Sequence, residues 1–478
     1  MFDTLHEECG VFGIYEPHKT TVAHSVYYAL YALQHRGQQS CGIVVNEDGL
    51  MRAHRANGLV PDVFRPDVLE KLGEGDIAVG HVRYSVAGQN DISNAQPLLL
   101  RHVKGNLAIS YNGSLTNAYQ LRRQYELDGA IFHTVSDAEV IAYAITRERL
   151  TAPSIEVAVE RMMNSVQGAY SLVIMSPRKL IAARDPHGFH PLCMGRTQDG
   201  AVVFASESCA FDTIGAVYER DVAPGEVVVV SEQGVSSITT HCKGKAKLCV
   251  FEFVYFARPD SVIEGCSVQK ARINAGRILA KEHPVDADVV IGVPDSGLDA
   301  ALGYASESGI PYQVGFIKNR YVGRSFIQPS QSQREDAVRV KLNAVKEAVC
   351  GKRVVMVDDS IVRGTTSARI VNLLREAGAK EVHMMVSSPM YLYPCYFGTD
   401  VDSREKLIAY QLGTVERIRQ QIGVDSLGYL SIEGVQKMAA DADCEFCIGC
   451  FTGNYPAPIP ESNLKDKFEE KIRKEGQV

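Results

Sequence analysis

The run 354-VVMVDDSIVRGTTS-367 decides the fold of the chain that carries it. Val354, Val355, Met356 and Val357 follow one another with no polar interruption, the pattern of a strand buried on both faces. Asp358 and Asp359 follow at its C-terminal end. A short loop of small and hydroxylated residues, 360–366, then opens an apolar-periodic helix through Ile370, Leu373 and Leu374. In open α/β sheets ligands bind outside the carboxyl ends of the strands. A loop that opens a helix can cradle a phosphate with its backbone N–H groups. The paired carboxylates suit sugar hydroxyls or a hard divalent cation. Read without that context, they are two solvated charges in a strand–turn–helix.

The string resembles the phosphoribosyl pyrophosphate (PRPP) signature of the type I phosphoribosyltransferases. By that resemblance Asp358 and Asp359 bind the ribose 2- and 3-hydroxyls, and Ser360, Arg363, Gly364, Thr365 and Thr366 bind the 5-phosphate. Upstream, ADVVIGVPDSG (287–297) reads as strand, turn and helix. In a phosphoribosyltransferase this turn holds diphosphate, with Asp295, Ser296 and Gly297 offering backbone N–H groups. The long polar segment 315–335 carries Lys318, Arg320 and Arg324. It reads as a lid over PRPP, with Lys318 and Arg324 neutralising the diphosphate leaving group. The resemblance places Mg2+ near Ser296, Asp358 and Asp359. Displacement at the ribose anomeric carbon needs the leaving group held more than it needs a base.

The chain has 478 residues, more than one ordinary core. Hydrophobic content of 45% and charged content of 22% describe a globular protein. A net charge of −7 gives no basic footprint for nucleic acid, and no run approaches a membrane span. The segment 1–10 lacks the basic and apolar regions of a secretory signal, so a cytoplasmic location is expected. Twelve cysteines in such a protein point to catalysis, metal or burial rather than disulfides.

Near the start, an acidic leader (1–8) precedes Cys9 and a strand-like run, 10-GVFGI-14. Cys9 is either a small buried hydrophobe or, if the leader is removed, a nucleophile whose own α-amine (pKa near ~8) serves as base. Arg83 ends a strand-like run and suits a carboxylate. Asn112 and Gly113 read as a turn able to form an oxyanion hole. Asp137 stands near a helix start, where it can hold an ammonium. In their order, and with QHRGQQSCG (34–42) and ARDPHGFHPL (183–192), these segments resemble the class II, N-terminal-nucleophile (Ntn) glutamine amidotransferases. That resemblance implies an αββα sandwich. It makes Cys9 the nucleophile, Asn112 and Gly113 the oxyanion donors, and Arg83 and Asp137 the grips on the glutamine α-carboxylate and α-amine. His190, Val86 and Gln39 stand where that family usually has Arg, Thr and Glu. Retuned glutamine affinity is expected from them.

The run CEFCIGC (444–450) holds cysteines at x2 spacing. With Cys249 before FEFVYFARPDS and Cys395 in YPCYFG, it resembles the iron–sulfur subgroup of the amidophosphoribosyltransferases. The ligands implied are Cys249, Cys395, Cys447 and Cys450 around a structural [4Fe-4S] cluster, with zinc the alternative.

The expected organisation is a propeptide (1–8), an Ntn glutaminase (9–240), a type I phosphoribosyltransferase α/β domain with a parallel sheet (249–420), and a helical, cluster-binding segment (421–478). The resemblance of the whole implies a glutamine-dependent glycosyltransferase that opens purine synthesis. Glutamine, PRPP and water would give 5-phosphoribosylamine, glutamate and diphosphate, with ammonia passed internally. It further implies purine nucleotides as feedback inhibitors and a homotetramer. Two rivals remain: an amidotransferase of the glucosamine-6-phosphate synthase type, which should lack the PRPP string, and a non-catalytic PRPP sensor, which has no use for Cys9, Arg83, Asn112 and Asp137.

Overall fold

The computed structural model describes residues 9–84, 91–319, 342–399, 401 and 403–460. The leader, Val86, the part of the expected lid from Arg320 on, with Arg324, and the tail from 461 lie outside them. The chain forms two compact units. One comprises Glu7–Leu248 with Tyr396–Thr399 and Tyr455–Val478. The other comprises Cys249–Cys395 and Asp400–Asn454.

The first unit is built on two antiparallel sheets. In the seven-stranded sheet, Gly10–Thr20 lies between Gly75–Arg83 and Val202–Ala205. In the six-stranded sheet, Gly105–Leu115 lies between Leu98–His102 and Gly168–Ser176. Successive side chains of a strand point to opposite faces, and the first strand uses both. Val11 joins the core between the sheets, with Val44, Val79, Ala108, Val173 and Leu180. Phe12 and Ile14 face outward, into a core that Val26, Ala29 and Leu30 of the helix Val22–Ala32 complete. On the far face of the other sheet, Ile141 and Ile145 of Asp137–Arg149 pack with Ile109, Leu172 and Val159. Helix, sheet, sheet and helix thus form the four layers of the expected sandwich.

In the second unit, Val289–Gly292, Arg353–Asp358, Glu381–Val386 and Ser426–Tyr429 form a parallel sheet in that order. Val354, Val355, Met356 and Val357 are fully buried, as an uninterrupted apolar run requires. Val354 and Met356 pack with Ile370, Val371 and Leu374 of the helix Thr365–Glu376. The sheet continues past residue 420, because its fourth strand is Ser426–Tyr429. That strand is only four residues long and includes Gly428, so it leaves little alternation to read. Among the described residues no helix is long and apolar enough to cross a membrane.

Two helices of this unit, Val268–Glu282 and Gly297–Ser308, meet backbone to backbone. A Cβ on Gly276 would lie 1.8 Å from the Ala300 carbonyl oxygen, and one on Gly303 1.9 Å from that of Ile273. Only glycine permits this approach. Gly276→Ala is therefore expected to cost at least the ~1–3 kcal/mol typical of overpacking, read as a lower midpoint in thermal unfolding. An unchanged midpoint would mean that the helices separate freely.

Candidate active sites

Gly10 pairs with Val82, so Cys9 and Arg83 stand at facing ends of neighbouring strands. Cys9 Sγ lies 3.6 Å from the Tyr84 carbonyl oxygen. Arg83 is buried. Burial lowers its pKa, and the Cys9 thiolate works against that. His81, on the same strand, ties the two sheets together: its Nε2 lies 2.9 Å from the Tyr111 carbonyl oxygen. A carbonyl only accepts, so Nε2 carries the proton. Burial pulls the His81 pKa down to about 3, leaving the ring neutral.

Tyr111 had no role in the sequence reading, yet it links the parts. Its N–H donates to Gln96 Oε1 at 2.8 Å, and its hydroxyl donates to Asp137 Oδ2 at 3.4 Å. Burial, then the Asp137 and Cys9 charges, push the phenol well above its ordinary pKa. Cys9, Tyr111 and Asp137 are thus electrostatic neighbours. Asp137 opens its helix as expected; its Oδ2 also accepts the Leu115 N–H at 2.9 Å, and burial raises its pKa.

Asn112 and Gly113 are not in a turn. They lie inside the strand Gly105–Leu115, opposite Ser171 and Tyr170. An Asn-Gly pair is a strong local turn signal, but sheet pairing overrides it here. Gly113 has φ +146°, and a Cβ there would lie 2.1 Å from the Ala169 carbonyl oxygen. Asn112 is buried, and among the described residues its Nδ2 has no hydrogen-bond partner.

Of the residues that depart from the family pattern, His190 places Nε2 2.7 Å from the Phe397 carbonyl oxygen. Its own carbonyl accepts Arg184 Nε at 2.7 Å. Gln39 donates its backbone N–H to the Arg83 carbonyl at 3.1 Å. Val86 lies outside the described residues.

In the second unit, Ser296, Asp358, Asp359 and Ser360 do come together. Asp359 Oδ2 accepts Ser296 Oγ at 2.5 Å, and its Oδ1 accepts Ser360 Oγ at 2.5 Å. The Asp359 N–H donates to Asp358 Oδ1 at 2.9 Å. Burial and mutual repulsion push the Asp358 carboxyl well above its ordinary range. Burial raises Asp359 too, against the Ser296 and Ser360 hydrogen bonds and the charge of Arg272. Arg272 is buried and held by the Phe253 and Ala257 carbonyls, each at 2.8 Å. It sits in an ordinary helical pattern, which hides such a role.

The diphosphate turn differs in detail from expectation. The Gly297 N–H donates to the Val293 carbonyl at 3.0 Å, so it is committed within its own turn rather than offered to a ligand. Asp295, joined to Pro294 by a cis peptide, forms an ion pair with Lys318. Gly364, at φ +83°, caps Thr365–Glu376, and a Cβ there would lie 2.3 Å from Ile408 Cδ1. Arg363 and Thr366 are half-buried and Thr365 is exposed.

Cys395, Cys447 and Cys450 also gather. The Leu392 and Tyr393 N–H groups donate to the Cys450 carbonyl at 2.9 and 3.0 Å, and Val250 N–H donates to that of Cys447 at 3.4 Å. Cys249 directly precedes Val250. Phe251, Tyr391 and Phe451 form an aromatic wall beside them. Burial, with Cys395 adding to it, pushes the Cys447 thiol up to about 12; burial and both other cysteines push the Cys450 thiol well above its ordinary value. Among the described residues, no three His, Cys, Asp or Glu side chains converge as ligands of a single metal ion.

Two family models match. Residues 81–213 match a glutamine amidotransferase domain, and residues 267–388 a phosphoribosyl transferase domain. The first span includes Arg83, Asn112 and Asp137; the second includes Ser296, Asp358 and Asp359. An amidophosphoribosyltransferase of Bacillus subtilis is 48% identical over 473 residues, covering 98% of this chain and 98% of that protein. The chain belongs to the amidophosphoribosyltransferase family. An amidophosphoribosyltransferase of Methanocaldococcus jannaschii is 49% identical, over 94% of this chain and 98% of its own length. Among solved structures, the glutamine PRPP amidotransferase from B. subtilis, complexed with ADP and GMP, is similar with TM-score 0.88 and 48% identity. It covers 95% of this chain and 99% of that one. A structure described as the allosteric regulatory enzyme of purine biosynthesis has TM-score 0.89 and 47% identity, over 97% and 99%. Amidophosphoribosyltransferase similarity therefore extends beyond both domain models, across the segment that carries Cys395, Cys447 and Cys450.

Proposed function

We propose that Cys9, Arg83, Asn112, Gly113 and Asp137 form the glutamine site, and that Ser296, Lys318, Arg324, Asp358, Asp359 and the loop 360–366 form the PRPP site. The chain is a glutamine PRPP amidotransferase, acting at the first step of purine biosynthesis. The Cys9 thiolate attacks the side-chain amide carbon of glutamine. The C–N bond breaks as nitrogen takes up a proton, ammonia leaves, and water hydrolyses the thioester to glutamate. Once the leader is removed, the α-amine of Cys9 carries the proton. Asn112 Nδ2 is a buried donor with no partner among the described residues, suited to an oxyanion. Ammonia, passed through the interior, attacks the ribose anomeric carbon as diphosphate departs.

The observation that carries this reading is the buried Asp358–Asp359 pair tied to Ser296 at the carboxyl end of the parallel sheet. Two repelling carboxylates beside a hydroxyl fit Mg2+, with Ser296, Asp358 and Asp359 as its residues. Bound there, Mg2+ supplies charge neutralisation for the diphosphate leaving group. Cys249, Cys395, Cys447 and Cys450 fit a structural [4Fe-4S] cluster. Zinc needs four ligands converging on one ion at about 2.0–2.3 Å, whereas a four-iron cluster puts each thiolate on its own iron. Purine nucleotides are the feedback inhibitors and the chain is a cytoplasmic homotetramer. The nucleotide complex of the B. subtilis relative supports the inhibitor assignment.

One preparation tests the reading. The purified protein should begin at Cys9, contain about four iron atoms per chain, and release glutamate in a PRPP-dependent manner. Glutamate release that ignores PRPP would overturn the coupled function. One zinc and no iron would overturn the cluster alone.

A further inference from the structure

Beyond Val202–Ala205, the chain turns its next two residues back onto the start of the neighbouring strand Gly10–Thr20. Ser206 Oγ accepts the Val11 N–H at 3.0 Å, and the Ser206 N–H donates to the Val11 carbonyl at 3.1 Å. Glu207 reaches Cys9 through an intermediary. Its Oε1 accepts Arg36 Nη1 at 2.7 Å, and Nε of the same guanidinium donates to the Cys9 carbonyl at 3.2 Å. His35 Nε2 lies 2.7 Å from that same Oε1. Cys209 Sγ, 3.7 Å away, donates to Oε2. Arg36 and Glu207 are 0% and 1% exposed.

A buried ion pair is a costly way to gain stability, since desolvation consumes much of the attraction. What such a pair provides is fixed direction, because the planar guanidinium fork holds two acceptors at set angles. Burial opposes ionisation of Glu207, but His35 and Arg36 outweigh it and hold the carboxyl well below its ordinary range. The bracket therefore stays charged at neutral pH. Its far end is the carbonyl of the residue read above as the nucleophile.

We propose that Glu207 is a positioning residue for glutamine cleavage: through Arg36 it fixes the Cys9 carbonyl, and with it the direction of the Cys9 thiol and α-amine. This rests on Cys9 being the nucleophile, so Cys9→Ala belongs in the same experiment.

In the full-length enzyme, Glu207→Gln should lower glutamine-dependent kcat on the order of 10²-fold, the scale of small misplacements of a reacting group. KM for glutamine should change by no more than about 2-fold, because the grips on substrate are untouched. Phosphoribosyl transfer from added ammonia should be unchanged, and Glu207→Asp should recover part of the loss. The pH profile of Cys9 alkylation by iodoacetamide should move. Arg36→Lys keeps the charge but loses the fork, and should repeat the kcat loss if Glu207→Gln proves insoluble. Wild-type kcat in either variant overturns the proposal. So does a parallel fall of both activities and thermal midpoint with an unmoved alkylation profile, which marks a merely structural residue. If Cys9→Ala keeps glutaminase activity, the nucleophile assignment fails and the proposal falls with it. If Cys9→Ala is inactive while Glu207→Gln is normal, only the positioning role fails.

Discussion

Replacing Asp358 and Asp359 together by Asn is expected to lower phosphoribosyl transfer from added ammonia by at least ~10²-fold, while basal glutaminase activity survives. Asn keeps the shape of the side chain and one carbonyl oxygen, so one of the Ser296 and Ser360 hydroxyls retains its acceptor while the other turns to accept from the new amide N–H. It removes both charges. A hard cation loses its anionic ligands, and ribose hydroxyls lose their strongest acceptors. The stability effect has the opposite sign. Both carboxyls are raised above their ordinary range by burial, and Asp358 further by its neighbour's charge. A raised acid pKa means the folded state binds protons that the unfolded chain has released. Stability then falls as pH rises from the unfolded carboxylate pKa through the folded one. At neutral pH the native pair is a cost, so the double variant should melt no lower than the wild type without ligands, and its stability should vary less with pH across that window. By the same shift, PRPP binding to the wild type should weaken on acidification above the ordinary carboxylate range. Unimpaired ammonia-dependent transfer in the variant would remove Asp358 and Asp359 from the site.

The acid pair was legible in the sequence because its chemistry is local. One strand end, one loop and one helix start supply the cradle, so 14 consecutive letters state it. The glutamine site is spread from Cys9 to Asp137, and no single letter in it is informative. Only the order of its segments, and their likeness to a known family, exposed it. The misreadings have physical causes. Asn112-Gly113 carries a turn signal, but the strand partners Ser171 and Tyr170 decide its conformation. The sequence suggests a Gly297 N–H offered to a ligand, but the tight turn uses that group itself. Ser426–Tyr429 is too short to show a period, and it belongs to the sheet only through Glu381–Val386. Arg272 and Glu207 were invisible for a further reason. Glu207 meets Arg36 across a separation of 171 residues, and neither position looks unusual in its own neighbourhood. Residues that bind a ligand leave composition cues in loops, whereas residues that orient them are defined by tertiary contact alone.

Asn112→Ala is expected to lower glutamine-dependent kcat by ~10²–10³-fold, the cost of one oxyanion donor. It should do so without destabilising the protein. The expected loss rests with one atom. Nδ2 of Asn112 is buried and makes no hydrogen bond among the described residues. A buried donor left unsatisfied costs about 1–3 kcal/mol in the folded state. Folding alone gives no reason to keep it, since a smaller apolar side chain would avoid that penalty. The cost is offset only when a developing negative charge arrives within reach. An interaction made mainly in the transition state lowers kcat when it is lost and leaves KM for glutamine nearly unchanged. Thermal unfolding of the ligand-free variant should therefore show a midpoint equal to or above that of the wild type, while ammonia-dependent phosphoribosyl transfer is retained. The opposite pattern, a lower midpoint with normal kcat, would make Asn112 a packing residue and leave the oxyanion without this donor.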